Sequence, residues 1–296
     1  MLTASTATAR TRTRRVREGD KRGERGRNLR GKEARGGGAP GPTCVTHDTR
    51  GALPAPAPVL YLPAPRMVPD PTTPEPRDVV AIDGPSGAGK STVARLLADR
   101  LGFAYLDTGA MYRAVTWHFL ENQHNDLADA TTTASLLDEL RLELSPGGRV
   151  SVAGRDVTTH LRSREVESRV SAVSALPAVR AHMRVLQRQI AAAGPVVAEG
   201  RDTTSIVFPA ARWKFFLDAD PDARGHRRFL EVRAKGREVS EAEILEEMAV
   251  RDRLDSTRRD APLAKTQEAI YVDATRLSPA EVVAAMLAEI ERKGRS

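Results

Sequence analysis

The chain has 296 residues, 40% of them hydrophobic, which is ample for a buried core, and a formal net charge of +7. Residues 1–77 hold 15 Lys and Arg against 7 Asp and Glu while the rest holds 31 against 32, so the surplus does not make the folded part a nucleic-acid binder. The one cysteine, Cys44, excludes an internal disulfide, and no run of 18 apolar residues is present to span a membrane.

Residues 1–77 are Arg- and Gly-rich and then carry 11 of the 19 prolines, with Tyr61 as the single aromatic. Such a segment is expected to stay disordered, because it has too little apolar surface to offset a backbone ordering cost of about 1–2 kcal/mol per residue. An Arg-rich arm can hold nucleic acid through phosphates, and this tail is the only place where such a partner is expected. The alternative is that the tail has no role and that Met67, just ahead of the first strand, is the true start. Prolines bracket even the apolar stretch from Val59 to Leu62, so no secretory signal is read, and Ser5 is the only serine before residue 78, unlike a transit peptide. The expected location is the cytoplasm, for a soluble protein without membrane attachment.

From Asp78 to Ser296 strands and helices alternate, which predicts an α/β fold with a parallel sheet covered by helices on both faces. The predicted strands are Val79–Ile82, Ala104–Leu106, Val196–Ala198, Trp213–Leu217 and Ile270–Val272, mostly apolar runs suited to burial on both sides. The helix after the first strand is expected to place Val93, Leu96, Leu97 and Leu101 on one stripe, with Gly102 as its C-terminal cap. Ser240 with Glu243, and Ser278 with Pro279 and Glu281, read as capped helix starts, the latter sending Val282, Val283, Met286, Leu287 and Ile290 inward. Two insertions interrupt the alternation and are expected to carry specificity. One spans about 122–195 and includes a hairpin over Leu140–Val157 turning at Pro146-Gly147-Gly148; the other spans about 220–266 and is dense in arginine.

Between the first strand and its helix lies Gly84-Pro85-Ser86-Gly87-Ala88-Gly89-Lys90-Ser91-Thr92, a match to G-x-x-x-x-G-K-[ST] in the required strand–loop–helix setting. Glycines let the backbone curl with its N–H groups around phosphate, and the helix N-terminus adds its positive dipole end. Lys90 is expected to bridge the β- and γ-phosphates of ATP, Ser91 to give a hydroxyl to Mg²⁺, and Thr92 to assist the nucleotide. Neither the base-reading N-K-x-D of a GTPase nor the long acidic-ended strand of a transporter ATPase follows. Instead come Asp107-Thr108-Gly109 with Tyr112-Arg113, then Glu199-Gly200-Arg201-Asp202, then Arg251-Asp252 with Asp255 and Arg258. Arginines paired with carboxylates suit a site that aligns two phosphorylated substrates, guanidinium forks taking phosphate oxygens and carboxylates taking hydroxyls or amines.

With those motifs, and with Val207-Phe208-Pro209 after Gly200-Arg201-Asp202, the sequence from Asp78 onward resembles the bacterial cytidylate kinase family. The resemblance implies a P-loop kinase core with a five-stranded parallel sheet, a monophosphate-binding insertion and a helical lid. It implies that Arg113, Arg201 and Arg258 hold the phosphate of CMP or dCMP beside Thr108, that Arg251 and Asp255 meet the ribose, and that Ser171, Arg180 and Asp202 read cytosine. Arg227 and Arg228 are the lid arginines expected to act on the transferring phosphoryl group. Asp107 is read either as a magnesium ligand through water or as a cap for the next helix. Members of the family are usually monomers. Weighed beside this reading are another small-acceptor kinase of the same fold (UMP/CMP, adenylate, shikimate or gluconate type) and an RNA-binding protein with a regulatory ATP site. No catalytic role is expected of His118, His124, His160, His182 or His226, since an acceptor phosphate is already an anion and needs no base.

Overall fold

The computed structural model of the protein describes residues 60–61, 78–145 and 147–294. The expectations placed on Met67, on Cys44 and on Pro146 fall outside the described residues.

Five strands, β2 (Val79–Asp83), β3 (Ala104–Asp107), β7 (Val196–Gly200), β8 (Trp213–Asp218) and β9 (Ile270–Asp273), form a parallel sheet in the order β3-β7-β2-β8-β9. Each predicted strand is present, extended by one or two residues at its carboxyl end. The central strand shows why its sequence is an unbroken apolar run. Val79 and Ala81 enter one buried cluster with Leu106, Met111 and Leu186, while Val80 and Ile82 enter another with Leu97, Phe215 and Met286 on the opposite face.

Helices α1 (Lys90–Leu101) and α8 (Pro279–Gly294) cover the second face. The buried stripe of α1 is Val93, Ala94, Leu97 and Ala98; Leu96 is 40% exposed and does not belong to it, contrary to the sequence reading. Helical periodicity assigns positions i, i+1, i+4 and i+5 to one face, and the two alanines fill it where the helix lies close to the sheet. Gly102 caps α1 in the left-handed region at φ 68°. The reciprocal Ser278–Glu281 hydrogen bonds open α8.

The first insertion supplies α3 (Ala130–Glu139), α4 (Arg164–Ala175) and α5 (Pro177–Ala192), together with the antiparallel strands β4 (Leu142–Ser145), β5 (Arg149–Val152) and β6 (Arg155–Asp156). With α2 (Thr108–Glu121) they bury the other face of the core. Gly147 and Gly148 both sit at φ 84° in the turn between β4 and β5. One element lies in the segment expected to lack structure: β1 (Leu60–Tyr61) pairs antiparallel with β4, Leu60 opposite Leu144. Those two residues belong to the short apolar stretch between Pro58 and Pro63, and β4 offers them an open edge. The second insertion is a helical hairpin, α6 (Pro221–Ala234) and α7 (Glu241–Thr257), closed by Val232, Ile244 and Met248, with the Ser240–Glu243 capping box starting α7.

Candidate active site

The carboxyl ends of all five parallel strands point the same way, and a cleft of about 490 Å³ opens there, walled on the far side by α4, α6 and α7. Its floor is the loop from Gly84 to Thr92. Gly84 leaves β2 at φ 153°, and a Cβ there would stand 1.9 Å from the Leu217 carbonyl oxygen, so only glycine lets the loop pass β8. Gly89, at φ 92°, is the N-cap of α1, which aims that helix's first amides into the cleft. Lys90 is buried and its Nζ donates to the Pro85 carbonyl at 2.6 Å, across the mouth of the loop. Burial and the Arg201 charge depress the Lys90 pKa to about 7, against the pull of Glu199, Asp252 and Asp83.

Three carboxylates organise the ground around the loop. Asp83, wholly buried at the end of β2, accepts from the backbone N–H and hydroxyl of both Thr203 and Thr204, at 2.6–2.9 Å. It thereby ties the loop strand to the π-helical turn Thr203–Val207, which begins just after Arg201 and Asp202. Glu199, buried at the end of β7, accepts from the Tyr105 hydroxyl at 2.8 Å and from the Ser91 side chain; burial and Asp107 raise its pKa. Asp252 on α7 accepts from the Ser86 amide at 2.9 Å and from Arg224 at 2.6 Å, and Arg224 also donates to the Ser86 carbonyl at 2.7 Å. The helical hairpin is therefore bonded directly to the loop.

Opposite the loop stand the arginines. Arg113 of α2 donates through Nε to Glu167 at 3.0 Å, Arg201 donates to Asp255 at 2.9 Å, and Arg258 meets Asp255 at 3.4 Å and Asp202 at 3.8 Å. Arg180, 2% exposed, forms an ion pair with Asp202, and its guanidinium lies 5.6 Å from the centre of the Tyr112 ring. Burial raises the Asp202 pKa despite that pairing. Burial, together with Arg113 and Arg201, holds the Arg251 guanidinium down to about 9. Among the described residues the buried nitrogens Arg180 Nε, Arg251 Nε and Arg258 Nη2 have no hydrogen-bond partner, although the carboxylates of Asp260 and Asp202 stand 3.6 Å from Arg180 Nε and 3.8 Å from Arg258 Nη2; an unsatisfied buried donor costs about 1–3 kcal/mol.

Most of the residues singled out from the sequence converge on this cleft: Ser86 to Thr92, Asp107, Thr108, Arg113, Arg180, Arg201, Asp202, Arg227, Arg228, Arg251, Asp255 and Arg258 all line it. Gly84 and Pro85 lie at the loop's start, behind the lining. Ser171 is different. The wall made by α4 consists of Val170 and Ser174, and Ser171 only accepts, through its carbonyl, from the Ser174 hydroxyl at 3.1 Å. The helical turn rotates Ser171 off the lining and brings Ser174 onto it, where its carbonyl also accepts from Arg180 at 3.2 Å. Asp107 caps α2 by accepting from the Ala110 amide at 2.8 Å, and Thr108 donates to the Glu199 carbonyl at 2.6 Å. Arg227 donates to the carbonyls of Ala274 and Thr275 at 2.6 and 3.2 Å, which joins α6 to the end of β9.

Several groups escaped the sequence reading. Arg162 lines the cleft from a 3₁₀ turn, His160–Arg162, and no motif marks it. Ala274, Leu277, Pro279 and Val282 make an apolar shelf beside Thr92 and Val93, and its only signal is position, after the last strand of the sheet. The structural links made by Asp83, Arg224 and Asp252 join residues more than 100 positions apart or on separate helices, so spacing could not reveal them. None of the five histidines singled out above lines the cleft; His124, for instance, bonds Thr133 at 2.9 Å inside the insertion.

The comparisons agree with one another. A family model described as cytidylate kinase matches residues 80–292. The cytidylate kinase of Carboxydothermus hydrogenoformans is 50% identical over 217 residues, which is 72% of this chain and 97% of the relative. That of Solibacter usitatus is 48% identical over 217 residues, 73% of this chain and 93% of the relative. The bifunctional pantoate ligase/cytidylate kinase of a Synechococcus species is 47% identical over 213 residues, 70% of this chain and 43% of that protein.

Proposed function

The chain belongs to the cytidylate kinase family, a phosphotransferase family that uses ATP to convert CMP and dCMP to CDP and dCDP, and from that premise we propose a division of labour within its cleft. The loop from Gly84 to Thr92 holds the triphosphate of ATP, and the shelf of Ala274, Leu277, Pro279 and Val282 takes its base. Arg113, Arg201 and Arg258 hold the acceptor phosphate, Arg251 and Asp255 meet the ribose, and Arg180 and Asp202 face cytosine. The observation that carries this reading is the convergence on one cleft of the loop from Gly84 to Thr92 with buried guanidinium groups of Arg180, Arg251 and Arg258, each of which keeps a nitrogen without a hydrogen-bond partner among the described residues.

The chemistry asks little covalent work of the protein. The acceptor oxygen is already anionic, so the site has to align the two nucleotides, offset their repulsion and keep water out. Lys90 and the α1 amides meet charge on the donor side, and Arg228 meets the group in transit. Mg²⁺ is proposed as the metal: Ser91, Asp107 and Glu199 offer a hydroxyl and carboxylates beside the loop, while the described residues hold no cluster of three or more metal-ligating side chains. That donor set fits an ion held mainly by nucleotide oxygens and water, which suits magnesium. Bound there, it would neutralise charge on the phosphates.

Cytosine presents acceptors at O2 and N3 and a donor at N4, matching an arginine and an ionised aspartate. Uracil reverses the pattern at N3 and position 4, leaving two mispaired groups at about 1–3 kcal/mol each. An ADP-release assay across CMP, dCMP, UMP and AMP is expected to give kcat/KM for UMP at least about thirtyfold below that for CMP. Comparable turnover of UMP or AMP would refute the roles given to Arg180 and Asp202. The monomeric state usual in the family, and a cytoplasmic location, which the single cysteine suits, complete the proposal; among the described residues no helix is long and apolar enough to cross a membrane.

A further inference from the structure

The cleft arginines come from segments with no covalent reason to meet. Arg113 belongs to α2, Arg162 to the 3₁₀ turn, Arg228 to α6 and Arg251 to α7. All four converge on one carboxylate, that of Glu167 near the start of α4. Arg113 Nε lies 3.0 Å from Oε1 and Arg162 Nη1 3.9 Å from the same oxygen, while Arg251 Nη1 and Arg228 Nη2 lie 3.6 and 3.9 Å from Oε2. Each oxygen thus serves one pair: Oε1 the two arginines of the core and first insertion, Oε2 the two of the helical hairpin. Glu167 itself does not line the cleft, although its four partners do. It stands behind them.

We propose that Glu167 is the positioning residue of the acceptor side, a shared counter-ion that sets four guanidinium groups from four segments around the acceptor nucleotide and the transferring phosphoryl group and links the helical hairpin to the first insertion. This rests on the reading of the cleft as a nucleotide monophosphate kinase site. Four cations brought into one partly buried corner repel one another, and an anion among them offsets that repulsion before any phosphate arrives. Burial opposes ionisation of Glu167, yet Arg113, Arg251, Arg228 and Arg162 together hold its carboxyl below the usual range, so the charge is present at neutral pH. Because the carboxylate stays behind the lining, an incoming phosphate need not displace it. The arginines turn their remaining donors forward.

The test is Glu167→Gln, which keeps shape and removes charge, with Glu167→Asp as the conservative partner. Expected for E167Q are a Kd for CMP raised about tenfold or more, kcat lowered to a similar degree through Arg228, and Kd for ATP alone within twofold of native. E167D should recover most of the CMP affinity. Native-like CMP binding and kcat in E167Q would overturn the proposal, and so would equal losses for ATP and CMP with a matching fall in melting temperature, which is what a merely structural residue would give. The native protein's own choice of monophosphate tests the reading of the cleft separately, and the ratio of variant to native is taken on whichever monophosphate it accepts.

Discussion

Replacing Lys90 with alanine lowers kcat for CMP phosphorylation by about 10²–10³, the range expected when one preorganised charge is withdrawn from a developing anion. Lys90 is suited to this role because, among the described residues, its Nζ donates to a single carbonyl, at 2.6 Å. A steady-state assay at saturating ATP measures the loss, and a variant retaining more than a tenth of native kcat would remove Lys90 from the mechanism. The depressed pKa gives the same residue a second signature. In the unfolded chain the ammonium titrates near 10.5, and burial in the folded chain lowers this to about 7, so between those values the unfolded state binds more protons and stability rises with pH. A bound triphosphate reverses the balance by favouring the charged form. At pH 8, ATP binding is therefore expected to take up to about one proton from the buffer, seen by calorimetry in buffers of different ionisation enthalpy, and the uptake should vanish in Lys90→Ala.

Arg180→Met is expected to act on the other side of the cleft and to act twice. Arg180 is 2% exposed and its partner Asp202 is 5% exposed, so removing the guanidinium leaves a buried carboxylate whose remaining cation, Arg258, lies 3.8 Å away. Breaking such a pair from one side costs about 3–5 kcal/mol of stability, which urea unfolding would register. The second effect is on binding: KM for CMP should rise about a hundredfold while KM for ATP stays within threefold, because Arg180 is proposed to face the acceptor base and not the donor loop. Equal changes in the two KM values would mean that the acceptor is held elsewhere.

The order and type of the core elements were legible because they rest on local rules. An apolar run of four residues, Val79–Ile82, just before a glycine-rich loop, a serine followed by glutamate three residues on, and a glycine after the last helical turn each have one economical meaning. Errors came where close packing decides. Leu96 was read as buried because it is a leucine, but the face against the sheet belonged to Ala94 and Ala98, whose small side chains admit the approach. Ser171 enters only as what the resemblance to the family implies, whereas the helix rotation that presents Ser174 to the cleft is a matter of how α4 meets α5. The site was legible where motifs are contiguous, as in Gly84–Thr92 or Gly200-Arg201-Asp202. It was not legible at Arg162, Glu167 or the Arg224–Asp252 pair, whose meaning depends on neighbours that only the folded chain supplies.

The Asp83 carboxylate has one more consequence. Strands β2 and β7 lie side by side, with Asp83 opposite Gly200, and the four hydrogen bonds from Thr203 and Thr204 fix the chain that continues from Gly200 onto the end of β2. The gap between the loop proposed to hold one nucleotide and the residues proposed to hold the other is thereby tied to the spacing of adjacent strands, roughly 4.8 Å in any sheet. Such a gauge does not stretch with side-chain motion or drift on warming short of unfolding. Adjustment to the size of an incoming nucleotide is left to the helices that overhang the cleft, and the floor beneath keeps a constant pitch.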